Sequence, residues 1–159
     1  MLRKYIRTEI AVSIFMSCAM NVLMAFVIFG MPGSLPVWGA AGVATDVAPT
    51  AFMTALMSAG MPGLLTGRRL RNGALDPLTG RTRLLPGNAF VRAVILAIPS
   101  AAVMFALFAA VFAAASIEKL PFAALLAIKI VIGIAVPLVV TPLAVRDALS
   151  PADAGKFQP

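Results

Sequence analysis

The chain has 159 residues, of which 61% are hydrophobic and 12% are charged, and its formal net charge is +7. This composition is far more apolar than that of a soluble domain of the same length, and it indicates a protein that lies in a bilayer. The absence of histidine and the single cysteine exclude a histidine-ligated haem or zinc site, a Ser-His-Asp triad and an intrachain disulfide, so we expect no enzyme and no cofactor.

Four apolar runs follow in chain order, each long enough as a helix to cross ~30 Å of hydrocarbon, which takes about 20 residues. Runs of this length without alternation favour helices over strands. We therefore predict an all-α fold, a polytopic four-transmembrane-helix bundle made of two antiparallel hairpins in one membrane domain, 1–159. The predicted spans are about 8–30, 45–66, 89–115 and 120–145, with a cytoplasmic basic loop at 67–88 and a flexible tail at 150–159.

The first run has an alternative interpretation as a cleaved signal peptide, because Arg3 and Lys4 precede it and small residues follow at 39–44. The apolar region of a signal peptide usually has 7–15 residues, whereas this run is much longer. Its length favours a retained transmembrane helix.

Basic residues are distributed unevenly between the two sides of the predicted membrane. They precede the first span, fill the 67–88 loop and follow the last span, whereas the other two connections carry only Lys119. By the positive-inside rule this predicts cytoplasmic termini in a bacterial inner membrane, and it explains the positive charge without nucleic acid. Anionic lipid headgroups are expected partners of the loop arginines Arg68, Arg69, Arg71, Arg81 and Arg83.

Methionines recur at four-residue steps in the first two spans. Positions four apart in a helix form a stripe along one face, and two antiparallel spans can place their stripes at the same depth. Thioethers suit Cu(I), and the spacing is similar to that in copper transporters, but methionine also fills irregular gaps between helices, so packing is the favoured interpretation. The candidate metal ligands are Met16, Met20, Met24, Met53, Met57, Met61 and the nearby Cys18.

A second four-residue pattern lies in the third span. Small residues allow helix backbones to approach closely in lipid, so this ladder is predicted to be the helix-contact face, with phenylalanines facing lipid on the opposite side. A second copy of the chain could use the same ladder to form a homodimer. The ladder consists of Ala102, Ala106, Ala110 and Ala114.

Lys129 lies inside the fourth span, where a charge costs about 3 kcal/mol on insertion scales and suggests function. Two alternatives remain open: its ammonium reaches the interface by snorkelling or pairs with Asp46, or it belongs to a transport site with Asp46 and Asn21. At the basic side we expect Glu9 to pair with Arg92 or with Arg7.

The two halves of the chain carry matching positions. Arg7 and Arg92 each enter a span, and Leu-Pro dipeptides at 35–36 and 120–121 follow them at equal distances. Pro62 with Thr66 and Pro137 with Thr141 match near the ends of the halves. A duplication would be a parallel repeat about an axis along the membrane normal.

The run Phe15-Met16-Ser17 with Met20 and Met24, followed by a Gly/Pro turn with Trp38, resembles small bacterial hairpin membrane proteins of unknown function. This resemblance implies a tandem pair of such hairpins and implies no activity. We therefore expect an interaction role, as a homodimer or an accessory subunit of a larger membrane complex. The alternative is a small dimeric transporter or channel using Lys129, Asp46 and Asn21, with copper conduction as a variant.

Overall fold

The structure is a computed structural model that describes residues 2–78 and 84–150. It is all-helical apart from two short strands. Three of its helices, the first, third and fourth in chain order, are long and apolar enough to cross a membrane, which supports the expected multi-pass membrane protein. The tail from 151 onwards lies outside the described residues. The elements are α1 (Leu2–Phe29), β1 (Ser34–Pro36), α2 (Val43–Arg71), α3 (Ala89–Ala114), β2 (Lys119–Pro121) and α4 (Phe122–Leu149).

Helix α2 differs from the predicted span in length and in composition. It continues to Arg71, so Arg68, Arg69 and Arg71 lie on its last turns instead of in a loop, where their charges also suit the helix dipole. Arg81 and Arg83 lie outside the described residues. Among the described helices, α2 does not reach the hydropathy of the three candidate spans. It packs between α3 and α4, so many of its buried positions carry small or polar residues instead of large apolar ones.

Consecutive helices are not each other's main packing partners. Helix α2 packs mainly against α3 and α4, and α1 packs mainly against α4, whereas α1 has few contacts with α2 and α3 has few with α4. The two helices of each predicted hairpin are therefore joined in sequence but are not closely packed. The hairpins open because the second helix of each one, α2 or α4, packs against both helices of the other.

The strands hold the two connections together at one end of the helices. Strand β1 pairs with β2 in antiparallel register, with Leu35 opposite Leu120, and the Val37 amide donates to the Glu118 carbonyl oxygen at 2.9 Å. In each half the first helix packs against the second helix of the other half: α1 against α4, and α3 against α2. The matching residues Thr66 and Thr141 are both fully buried. A parallel repeat about one axis would also place its elements in this arrangement.

The alanine ladder of α3 does not face the other helices of the chain. Its four members are exposed, and the buried side of α3 lies two positions away, which is about 200° around a helix. Phe112, which was expected to face lipid, is buried, whereas Phe105 is exposed. The exposed residues are Ala102, Ala106, Ala110 and Ala114; the buried side includes Ala93, Ala97, Met104 and Phe112.

The small-residue stripe that does serve packing within the chain lies on α2. Ala51, Ala55, Ala59 and Gly63 are buried at four-residue steps, and the three alanines join the core formed with α3 and α4. Without a hydrophobic driving force between helices in lipid, such close backbone approach stabilises the bundle. The methionines of α2 lie two positions away from this stripe, so they face the other direction.

Candidate functional site: a methionine-lined groove

A groove of about 340 Å³ runs between α1 and α2, where these two helices have few contacts. It extends from Glu9 to Ile28 along α1 and from Asp46 to Leu65 along α2. Each of these stretches covers a length of about 28 Å at 1.5 Å per residue, close to the ~30 Å thickness of the hydrocarbon core. The groove therefore spans nearly the depth of a membrane. We call it the α1/α2 groove.

All six methionines of the two stripes line the α1/α2 groove, three on each wall. Their residues are between 37% and 61% exposed, so these side chains face the opening between the two helices and not the buried core. Because the helices run in opposite directions, the order along α2 is reversed, and Met16 lies level with Met61 and Met24 with Met53. The two stripes thus form matched walls with Met20 and Met57 near the centre.

Cys18 does not belong to this groove. Its Sγ atom points to the Ile130 carbonyl oxygen of α4 at 3.8 Å. A Cβ atom added to Gly133 would lie 2.9 Å from Sγ of Cys18 and 3.1 Å from its backbone nitrogen. The glycine is thus what allows α1 and α4 to approach here, and the grouping of Cys18 with the methionines is wrong.

Lys129 and Asp46 form an ion pair at the strand end of the groove. Lys129 is only 1% exposed, so its ammonium does not snorkel to an interface but lies inside the protein against Asp46. The ammonium also donates to Thr50 Oγ1, and this hydroxyl donates to Asp46 Oδ2 at 3.3 Å. Burying both charges is tolerable because they neutralise each other and because Thr50 adds a further hydrogen bond.

The floor of the groove near its centre is polar and internally bonded. Asn21 Nδ2 donates to the Lys129 carbonyl oxygen at 3.2 Å, and Thr54 Oγ1 donates to Asn21 Oδ1 at 3.2 Å. The Ser17 and Ser58 hydroxyls lie 3.2 Å apart. Lys129, Asp46 and Asn21, which the sequence grouped as transport candidates, therefore do converge on one groove.

Glu9 lies at the opposite end of the groove and pairs with Arg69 at 3.5 Å, so the expected pairing of Glu9 with Arg92 or Arg7 is wrong. The Arg69 guanidinium lies 5.1 Å from the Tyr5 ring centroid, and the Tyr5 hydroxyl is 2.9 Å from Thr66 Oγ1. This cation–π contact brings a basic side chain to the mouth of the groove.

Arg92 instead pairs with Asp147 of α4 at 3.1 Å, and both side chains are buried. Asp147 Oδ1 also accepts from the Leu84 and Leu85 amides at 2.9 and 3.1 Å. A Cβ atom at Gly63 would come within 2.9 Å of the Arg92 guanidinium, so the absence of a side chain there leaves room for this group. The pair links α3 to α4 and to the segment before α3 that contains Leu84 and Leu85. It lies away from the α1/α2 groove.

Sequence reasoning missed Thr50 and Asp147, although both carry a readable signal. Thr50 is four residues after Asp46, so the two share one helix face. Asp147 lies near the end of α4 and Arg92 near the start of α3, and these ends meet on the same side of a bundle joined by a short connection. The sequence could therefore have predicted that Asp147 lies at the depth of Arg92 and can pair with it.

No known protein family, curated protein or solved structure matches the chain. The described residues form a helical membrane protein with three helices long and apolar enough to span a membrane and with the α1/α2 groove. Groups of three or more aspartate, glutamate or cysteine side chains that could hold a metal ion are absent from residues 2–78 and 84–150.

Proposed function

We propose that this chain is a small transporter-type protein of the bacterial inner membrane that binds a membrane-soluble ligand in the α1/α2 groove. In this proposal all four helices cross the membrane and both termini are cytoplasmic. The charge distribution and the packing of α2 against two candidate spans support this arrangement. The observation that carries the proposal is the groove itself, whose two walls of half-exposed methionines enclose a buried polar floor.

Lys129 distinguishes this proposal from a purely structural role. An interaction protein would bury Asn21, Ser17 and Thr54 in helix contacts and leave Lys129 at the interface. The first three side chains are buried and bonded across helices, as such a protein requires. Here Lys129 is buried, and it lines the same groove as Asn21 and Asp46. Methionine walls suit an apolar ligand of variable shape because the unbranched thioether side chain adapts to irregular surfaces.

Filling the centre of the groove tests the proposal. The Met20→Trp/Met57→Trp variant should retain less than a tenth of the membrane-soluble molecules that co-purify with the wild type, because two indoles would occupy the space between the walls. The measurement is mass spectrometry of solvent extracts of the purified protein. The control is Val131→Trp, at a similar depth on α4 but outside the groove and 50% exposed. Equal loss in the control, or no loss in either variant, would contradict the proposal.

Copper conduction is the variant of this proposal that the methionine chemistry favours. The test measures Cu(I) binding and flux in liposomes that contain the wild type or Met20→Leu/Met57→Leu. If Cu(I) is the ligand, this variant should lose both. If the ligand is apolar, the variant should still bind it. Leucine keeps a similar apolar volume and removes the thioether.

A second candidate, an interaction role, is favoured by the exposed alanine ladder of α3. Because the ladder is exposed in the described structure, it is available to a second copy or to another membrane subunit. We expect Ala106→Leu/Ala110→Leu to shift the protein from dimer to monomer in size-exclusion chromatography with light scattering. Val103→Leu, on an exposed but different part of α3, serves as the control. A monomeric wild type would contradict the homodimer form of this candidate.

A further inference from the structure

A second depression, of about 520 Å³, adjoins the α1/α2 groove at its Glu9 end. Glu9, Val12 and Leu65 line both, so the two form one continuous surface. The depression is also lined by Lys4 and Arg69, which are exposed cations. We call it the basic depression.

The electrostatics of the basic depression favour an anion. Lys4 and Arg69 carry two positive charges, and the acid in the lining is Glu9, which already pairs with Arg69. Four more exposed arginines lie on the same ends of α1 and α2: Arg3, Arg7, Arg68 and Arg71. Basic residues near a membrane surface attract anionic lipids by about 1 kcal/mol each.

The neighbouring part of the groove has the size and chemistry of a site for one hydrocarbon chain. One leaflet contributes about half of the ~30 Å core, or about 15 Å, and the helix distance from Glu9 to Met20 is about 16 Å. Over that distance the walls are lined mainly by apolar side chains. They are Val12, Met16 and Met20 on α1 and Met57, Met61 and Leu65 on α2.

From this continuity we infer that the ligand is an anionic phospholipid of the adjacent leaflet. Its phosphate lies in the basic depression against Lys4 and Arg69, and one acyl chain lies between Met16 and Met61. The inference rests on the proposed function and adds the class of ligand. It assigns no role in lipid binding to the strand end of the groove, where Lys129 and Asp46 neutralise each other.

The test is a titration of the detergent-purified full chain with phosphatidylglycerol and with phosphatidylcholine of the same acyl chains, followed by native mass spectrometry. The wild type should bind phosphatidylglycerol at least 10-fold more tightly. In Lys4→Gln/Arg69→Gln the affinity for phosphatidylglycerol should fall about 30-fold, from two basic contacts, with little change for phosphatidylcholine. Glu9→Gln should strengthen phosphatidylglycerol binding, since an acid near the phosphate is removed. Arg146→Gln, an exposed arginine on α4 outside the depression, is the matched control.

The acyl-chain part is tested separately with Met16→Trp/Met61→Trp, which should abolish binding of both lipids, and with Met24→Trp at the strand end as its control. Equal affinity of the wild type for both lipids, or an effect of Lys4→Gln/Arg69→Gln no larger than that of Arg146→Gln, would overturn the inference while leaving the groove as a binding site. Unchanged binding in Met16→Trp/Met61→Trp would overturn the inference together with the proposed function.

Discussion

Replacing Lys129 with methionine is expected to lower the free energy of unfolding by about 3–5 kcal/mol, the usual cost of removing one partner of a buried ion pair. The substitution keeps most of the apolar volume but leaves the Asp46 carboxylate without its counter-charge at a poorly hydrated position. Thr50 would also lose the ammonium from which it accepts a hydrogen bond. The free energy is measured by SDS titration of the protein in mixed micelles.

The double variant Lys129→Met/Asp46→Asn separates charge imbalance from lost packing. Removing both charges should recover most of the stability, because a buried ion pair contributes little net stability relative to a neutral replacement. The control is Lys119→Met, at an exposed residue of β2, which should change stability by less than about 0.5 kcal/mol. Two results would contradict this explanation of the stability loss: a loss in Lys129→Met as small as that in the control, or a double variant as unstable as the single one.

Removing one partner of the Arg92–Asp147 pair is expected to lower stability at least as much as removing one partner of the Lys129–Asp46 pair. Asp147→Asn should cost about 3–5 kcal/mol, since it leaves the guanidinium buried and unpaired, and a guanidinium keeps its charge in proteins. Asp147→Leu should cost about 1–3 kcal/mol more, because the Leu84 and Leu85 amides then also lose their acceptor.

The same SDS titration distinguishes these two contributions of Asp147. Asp76→Asn is the matched control, because Asp76 is exposed and should give a near-wild-type midpoint. Equal costs for Asp147→Asn and Asp147→Leu would show that the amide contacts contribute nothing, and a near-neutral Asp147→Asn would contradict the buried ion pair.

The groove shows where sequence reasoning reached the correct residues without the correct geometry. The four-residue methionine spacing predicted one stripe on each of two helices, and antiparallel connection predicted equal depth. Whether those stripes face a core, lipid or an opening depends on how far α1 and α2 separate. Their separation follows from the packing of α4 against both helices, which no local pattern reveals.

Pairing of charges shows the same division. Asp46 was identified as the partner of Lys129 because both lie near the same end of their helices, and the pair forms. Depth alone matches Glu9 to Arg92 or Arg7, yet Glu9 pairs with Arg69, and Arg92 pairs with Asp147. Depth follows from position in a span, whereas the choice between partners at one depth follows from which helix faces which.

The sequence by itself determined the helical class, the approximate helix positions and the multi-pass membrane character, because the length and hydropathy of a run must match the bilayer. Only the tertiary structure decided which faces are buried. It placed the α3 alanines outside and the α2 small residues inside, and it opened the space between α1 and α2. The physical reason is that helices in lipid associate through shape and specific polar contacts, and these depend on neighbours far away in the sequence.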